Sequence, residues 1–168
     1  MSTTLLQSGI WIVTIRGHFD MNTWQYDSSD DPQMFGSEET YKKAIAFLDG
    51  VGTLEDWGCG TCYASRFVKK ARYVGLDIID SKFNAVAVDL RHYRSKAQYI
   101  LLRHVNDMEV LKCAVQSFRK KLCVVSYERD LDKQKFIKAI GSLVNVPYTE
   151  ELVQTPDGAE VIYCLKRP

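Results

Sequence analysis

Between Thr53 and Tyr127 the chain alternates short, apolar, β-rich runs with helix-like segments. No other feature restricts its fold as much. "TLEDW" (Thr53–Trp57), "YVGLDI" (Tyr73–Ile78), "NAVAVDL" (Asn84–Leu90), "YILLRHV" (Tyr99–Val105) and "LCVVSY" (Leu122–Tyr127) read as strands. Their apolar runs are nearly continuous, as in strands buried on both faces. "CYASRFVKKA", "DMEVLKCAVQSFRKK" and "DLDKQKFIKAIGSL" read as helices. An earlier helix is predicted to start at Ser37, with Glu39 and Thr40 in its first turn and Tyr41, Ile45 and Leu48 at helical spacing. The tail "ELVQTPDGAEVIYCLKR" reads as two strands about a Pro-Asp-Gly turn, an antiparallel hairpin. The pattern predicts a doubly wound α/β domain with a mostly parallel, seven-stranded sheet and a C-terminal antiparallel hairpin. Only about five residues separate the second and third strands, too few for a crossover helix. Either that helix is lost or the third strand is rudimentary.

A chain of 168 residues suits one domain with one core: an N-terminal arm or lid over residues 1–36, then the α/β domain over 37–168. "DSSDDPQMFGSEE" (Asp27–Glu39) reads as a loop, and the apolar run Ile10–Ile15 is too short to span a bilayer. With a net charge of +1, no global field draws in nucleic acid or an anionic membrane. The basic groups around Lys70 and Lys120 read as solvated helix faces. Five cysteines, an odd number, behind a start unlike a secretory leader predict reduced thiols in a cytoplasmic protein.

The stretch "TLEDWGCGTCYASRFVKK" admits two readings. In one, Cys59 and Cys62 form a redox or metal pair. A thioredoxin-like site needs a cis-proline facing the thiols, and no proline lies between Pro32 and Pro147. A zinc site needs two more suitably spaced ligands, whereas Cys113, Cys123 and Cys164 stand alone, so no metal is expected. In the other reading, Gly58 and Gly60 let a ligand approach the backbone at the carboxyl edge of the sheet, with helix-terminal amides beyond to attract an anion. Asp77 ends the second strand 19 residues after Gly58, where an acidic residue can bind both hydroxyls of a ribose. The third glycine of the dinucleotide fingerprint falls on Tyr63, and Asp56 stands two residues before Gly58. A carboxylate there repels a pyrophosphate and suits an ammonium group.

At these residues "LEDWGCGTC" resembles the first motif of class I S-adenosylmethionine (SAM)-dependent methyltransferases, D/E-x-G-x-G-x-G, with Cys62 in place of the third glycine. The resemblance covers roughly residues 37–128, with a family-like hairpin after it. It implies SAM as cofactor and S-adenosylhomocysteine (SAH) as product. It implies Asp56 for the ammonium group, Gly58 and Gly60 for close backbone approach, and Asp77 with Ile78 beside it at the ribose. Asp89 matches the acidic residue that contacts adenine N6, with Leu90 adjacent. "YILLRHVND" is similar to the fourth-strand motif, whose backbone holds the methionine end of SAM. Arg103 is a candidate there, either anchoring an acidic group or pairing with Asp107, with the ion pair preferred. His104 is the candidate general base for an acceptor during in-line attack.

Absent motifs narrow the acceptor. No proline follows the fourth strand as in adenine and cytosine N4 methyltransferases, no Pro-Cys nucleophile exists, and Tyr127-Glu128-Arg129 offers no lysine for ribose 2′-O chemistry. Nucleic acid is therefore disfavoured. A small or medium-sized acceptor methylated on oxygen or nitrogen is expected, with Met34, Phe35 and Tyr41 as a lid. No membrane partner is expected, and no oligomeric state is indicated. Two alternatives stay open: a catalytically silent SAM/SAH-binding subunit, and another α/β nucleotide enzyme such as a dehydrogenase.

Overall fold

The computed structural model describes residues 34–78, 83–141 and 146–168. The proposed arm or lid over 1–36, including the run Ile10–Ile15, lies almost wholly outside the described residues. In chain order the elements are α1 (Glu38–Leu48), β1 (Thr53–Trp57), a 3₁₀ turn (Tyr63–Phe67), β2 (Arg72–Asp77), β3 (Val86–Ala87) and β4 (Tyr99–Arg103). They continue with α2 (Met108–Ser117), β5 (Lys121–Tyr127), α3 (Lys133–Ile140), β6 (Tyr148–Thr155) and β7 (Gly158–Lys166). They build one seven-stranded sheet in the order β3-β2-β1-β4-β5-β7-β6. The five strands from β3 to β5 are parallel, and β7 runs antiparallel to both β5 and β6.

The two-residue period of a strand divides the core. Ile100 and Leu102 of β4, with Leu122 and Val124 of β5, pack under α2 and α3 through Leu111, Ala114, Val115 and Phe136. Tyr99 and Leu101, with Cys123 and Val125, pack under α1 through Tyr41, Ala44, Ile45 and Leu48. Burial on both faces explains the unbroken apolar runs. Each α-helix starts on a side-chain cap: Ser37 accepts from the Thr40 amide, Asp107 from Glu109 and Val110, and Asp132 from Lys135.

Two elements depart from the sequence reading. The segment "CYASRFVKKA" is a five-residue 3₁₀ turn rather than a helix. Cys62 at its start is left-handed (φ 57°), and at its far side the amides of Lys69, Lys70 and Ala71 bind the Asp49 carboxylate. Both ends of the segment are thus fixed before an α-helix can propagate. The expected anion-attracting helix terminus is therefore not formed there. The third strand shrinks from Asn84–Leu90 to Val86–Ala87, at the open edge of the sheet with both residues exposed. Its register with β2 covers Val86 and Ala87 and is extended by one hydrogen bond from the Val88 amide to the Asp77 carbonyl at 2.7 Å.

Candidate functional site

β1 lies between β2 on one side and β4 on the other, so the chain reverses its winding direction here. Ligands of open α/β sheets bind at such a switch point, beyond the carboxyl ends of the strands. A cavity of about 640 Å³ opens there. All nine residues singled out from the sequence line it: Asp56, Gly58, Gly60, Asp77, Ile78, Asp89, Leu90, Arg103 and His104.

The floor is the turn after β1. Gly58 (φ 74°) and Gly60 (φ 54°) are left-handed, a conformation costly for residues with a Cβ. A Cβ on Gly58 would also collide with Val105 Cγ2. The amides of Gly58 and Cys59 both donate to the Leu76 carbonyl, at 2.7 and 3.1 Å, which fastens the turn to β2. Asp77 is held from two sides: Oδ2 accepts from the Gly60 amide at 2.8 Å and Oδ1 from the Ile78 amide at 2.7 Å. A carboxylate bound to two backbone donors is fixed in place at the cavity wall.

Asp56, 3% exposed, accepts a hydrogen bond from Tyr73 Oη at 2.6 Å. Burial pushes its carboxyl up to about 6, against the lowering effects of Tyr73 and Arg103. Asp89 pairs with Arg91 (Nη2 to Oδ2, 3.0 Å), which holds its carboxyl below the usual range. Ile78 is 56% exposed, an apolar side chain at the cavity mouth, whereas Leu90 is buried.

At the opposite wall, Arg103 does not pair with Asp107, contrary to expectation, because Asp107 is occupied as the cap of α2. Its partner is Glu160 of β7, at 3.0 Å from Nη2, with both side chains buried. Arg103 also donates to Thr40 Oγ1 and the Phe35 carbonyl, and its guanidinium lies 3.7 Å from the Tyr41 ring centroid. Glu160 accepts in addition from His104 Nε2 at 2.7 Å, the Ser37 amide at 2.9 Å and Thr40 Oγ1 at 3.1 Å. Burial pushes the Glu160 carboxyl up, but the His104 hydrogen bond, the Arg103 charge and the Ser37 donors outweigh it and hold it at about 2. Glu160 is therefore a carboxylate, so the proton in its bond to His104 sits on Nε2, and Nδ1 is the ring nitrogen that can act as an acceptor. His104 itself is left-handed (φ 51°), a strained backbone of the kind found at functional sites.

Of the three residues expected to form a lid, Phe35 and Tyr41 line the cavity, whereas Met34 is exposed and not part of the lining. Sequence reasoning missed Glu160, Tyr73 and Tyr127. The last lines the cavity with its ring centroid 4.6 Å from that of His104. The available signal was a single carboxylate inside the apolar run "EVIYCL". Among the described residues, no group of three or more His, Cys, Asp or Glu side chains could hold a metal ion. Among them also, no helix is long and apolar enough to cross a membrane.

Five parallel strands, a switch point at β1 and an antiparallel β7 inserted between β5 and β6 make this the fold of the class I SAM-dependent methyltransferases. Solved structures that share it include magnesium protoporphyrin IX methyltransferase from Synechocystis PCC 6803 with bound SAM. It is 14% identical, with a TM-score of 0.64 over 77% of this chain and 79% of that one. The 1,6-didemethyltoxoflavin-N1-methyltransferase of Burkholderia thailandensis, bound to its namesake compound and SAH, is 10% identical. It matches with a TM-score of 0.63 over 77% of this chain and 79% of that one. The [4+2]-cyclase SpnF is also 10% identical, with a TM-score of 0.59 over 77% and 80%. No protein-family model matches the chain, and no curated protein matches it by sequence. Identities this low establish the fold, and the chemistry has to be argued from the site.

Proposed function

We propose that the cavity binds SAM and that the protein transfers its methyl group to the oxygen or nitrogen of a small or medium-sized acceptor by in-line attack, releasing SAH. The observation that carries this reading is the Asp77 carboxylate fixed by the Gly60 and Ile78 amides at the switch point. That arrangement suits a ribose diol, which needs an acceptor pair in a set orientation.

The cavity's charge supports the choice of cofactor. Asp56, Asp77, Asp89 and Asp107 line it, and its two arginines, Arg91 and Arg103, already face Asp89 and Glu160. Such a lining opposes a pyrophosphate and favours a ligand carrying an ammonium and a sulfonium. When bound, SAM supplies an electrophilic methyl group on that sulfonium. Asp56 faces the ammonium group, and the bare Gly58 and Gly60 admit the ligand against the backbone. Ile78 and Leu90 flank the adenine, and Asp89 accepts from its amino group. Arg103 supports the methionine end from β4. His104 takes the acceptor's proton on Nδ1, while Glu160 holds the other ring nitrogen and stabilises the imidazolium that forms. The fold does not by itself select methyl transfer, since a [4+2]-cyclase shares it, and the second reading is a catalytically silent SAM/SAH-binding protein acting as a regulatory or partner subunit.

Thermal unfolding with SAM, SAH and NAD, on the wild type and Asp77→Ala, tests the cofactor. Ligand at about 100 times its dissociation constant adds about 2.7 kcal/mol, a rise of about 5–10 °C for a domain of this size. The expected outcome is a rise with SAM or SAH, absent with NAD and lost in Asp77→Ala. No rise with SAM or SAH from micromolar to millimolar concentration overturns the proposal. Formation of SAH with a panel of amines, phenols and carboxylic acids then separates an enzyme from a silent binder.

A further inference from the structure

We propose that Cys59 and Cys62 form a reversible disulfide across the cofactor turn, and that closing it weakens binding in the cavity by displacing Gly60 from Asp77. This rests on the cofactor reading above for its consequence, though not for the disulfide itself.

The two sulfurs lie 3.4 Å apart. The Cys62 amide donates to the Cys59 carbonyl at 2.8 Å, closing a four-residue turn that holds the two Cα atoms within disulfide reach. The space for both sulfurs exists because Gly75, in the middle of β2, has no side chain. A Cβ there would stand 2.6 Å from Cys62 Sγ and 2.9 Å from Cys59 Sγ. Neither thiol is used by the proposed methyl transfer. Cys59 lines the cavity and is partly exposed, and Cys62 is buried behind it.

The coupling follows from what the ring would enclose. Gly60 lies between the two cysteines, and its amide holds Asp77 Oδ2 at 2.8 Å. Shortening the sulfur separation from 3.4 Å to the bonded length of about 2.05 Å pulls on this three-peptide turn. The turn is already left-handed at Gly60 and Cys62 and has little slack. The ribose-facing carboxylate loses its fixed donor when the turn moves.

The reaction balances with a low-molecular-weight disulfide as oxidant. Cys59, reached through the cavity, gives up its proton and attacks one sulfur of oxidised glutathione, and one glutathione thiolate leaves. Cys62, as a thiolate, attacks Cys59 Sγ and expels the second glutathione. Two protein thiols are oxidised to one disulfide, and one glutathione disulfide is reduced to two thiols. The hydrogen bond between the sulfurs and burial push the Cys59 thiol up, so the first step is slow and quickens as pH rises.

The test equilibrates the full chain in glutathione buffers of graded ratio at mildly alkaline pH, blocks free thiols by alkylation and maps tryptic peptides. Both cysteines fall in the single peptide 44–66, so the disulfide appears there as an unalkylated peptide lighter by two hydrogens. The other close pair, Cys123 and Cys164 at 3.8 Å, lies on different peptides. SAH affinity is then measured by calorimetry on reduced and oxidised protein, with Cys62→Ser as control. Expected are formation of the disulfide and SAH binding about tenfold weaker in the oxidised wild type, the scale of one hydrogen bond to a carboxylate. Binding should recover on reduction, and Cys62→Ser should stop at the glutathione mixed disulfide on Cys59, seen as an adduct on peptide 44–66 with no intramolecular disulfide. Alkylation of both cysteines at every ratio overturns the proposal, as does a disulfide that leaves affinity unchanged. If the disulfide forms but neither state binds SAH, the cofactor reading and the coupling fall while the disulfide stands.

Discussion

Glu160→Gln isolates the buried charge cluster that joins the N-terminal side of the cavity to β4 and β7. Glutamine keeps the shape of glutamate and removes its charge, leaving the Arg103 guanidinium buried against a neutral amide. Two routes give the size of the effect. Holding the carboxyl at about 2 rather than its ordinary 4.5 amounts to about 3 kcal/mol of preference for the charged form. Removing one partner of a buried ion pair costs about 3–5 kcal/mol in general. The variant should therefore lose about 3 kcal/mol at pH 7, a fall of about 10 °C in Tm for a chain of this size. The pH dependence has a definite sign. A depressed carboxyl contributes stability above its unfolded value and loses it as pH falls towards the folded one. The gap between wild type and Glu160→Gln should hold steady from pH 7 to about 5 and narrow below about 4.5. Urea unfolding of both proteins at pH 7, 5 and 3.5 measures it. A loss under about 1 kcal/mol at pH 7, or a gap that does not narrow in acid, would refute the cluster as a source of stability.

Asp56 should behave in the opposite sense. A carboxyl raised by burial to about 6 penalises the fold above its unfolded value, so Asp56→Asn should stabilise the protein at pH 7 by about 1–3 kcal/mol. That gain should vanish below about pH 4 in urea melts, and SAM affinity should fall at the same time. Tyr73→Phe removes the donor that favours the charged Asp56. The pH below which SAM binding fails should move upward in a binding titration between pH 5 and 8. Gly58→Ala forces a side chain into a left-handed position against Val105, at a cost of about 2 kcal/mol or more. It should abolish the thermal shift with SAH.

How legible the molecule was in its sequence depended on the distance over which each feature is encoded. The parallel sheet was readable because its central strands β4 and β5 carry apolar residues buried on both faces. The Gly58, Gly60 and Asp77 constellation was readable because turn and strand end lie within 20 residues of one another. Local pattern failed where tertiary contacts overrode it. "NAVAVDL" has the composition of a strand, but the strand that forms is only Val86–Ala87, at the sheet edge. "CYASRFVKKA" has the composition of a helix but is pinned by left-handed Cys62 and by Asp49. Arg103 was matched to Asp107, the nearest acid in sequence, whereas its partner lies 57 residues on.

That partner is within reach because β7 is antiparallel. In a parallel strand, only residues at the carboxyl end arrive at the switch-point edge of the sheet. Because β7 is reversed, it delivers its beginning there instead, and Glu160, its third residue, pairs in register with Tyr127 at the end of β5. From that position one carboxylate reaches Arg103 and His104 at the end of β4, and Ser37 and Thr40 at the start of α1. Gly36 has to be a glycine in the same cluster, since a Cβ on it would collide with Glu160, Arg103 and His104 together. The C-terminal hairpin thus does more than close the sheet. It supplies the charge that orients the candidate base and fastens the segment entering α1 against the cavity. The strand reversal that distinguishes this fold from a purely parallel sheet is therefore also what completes one wall of its site.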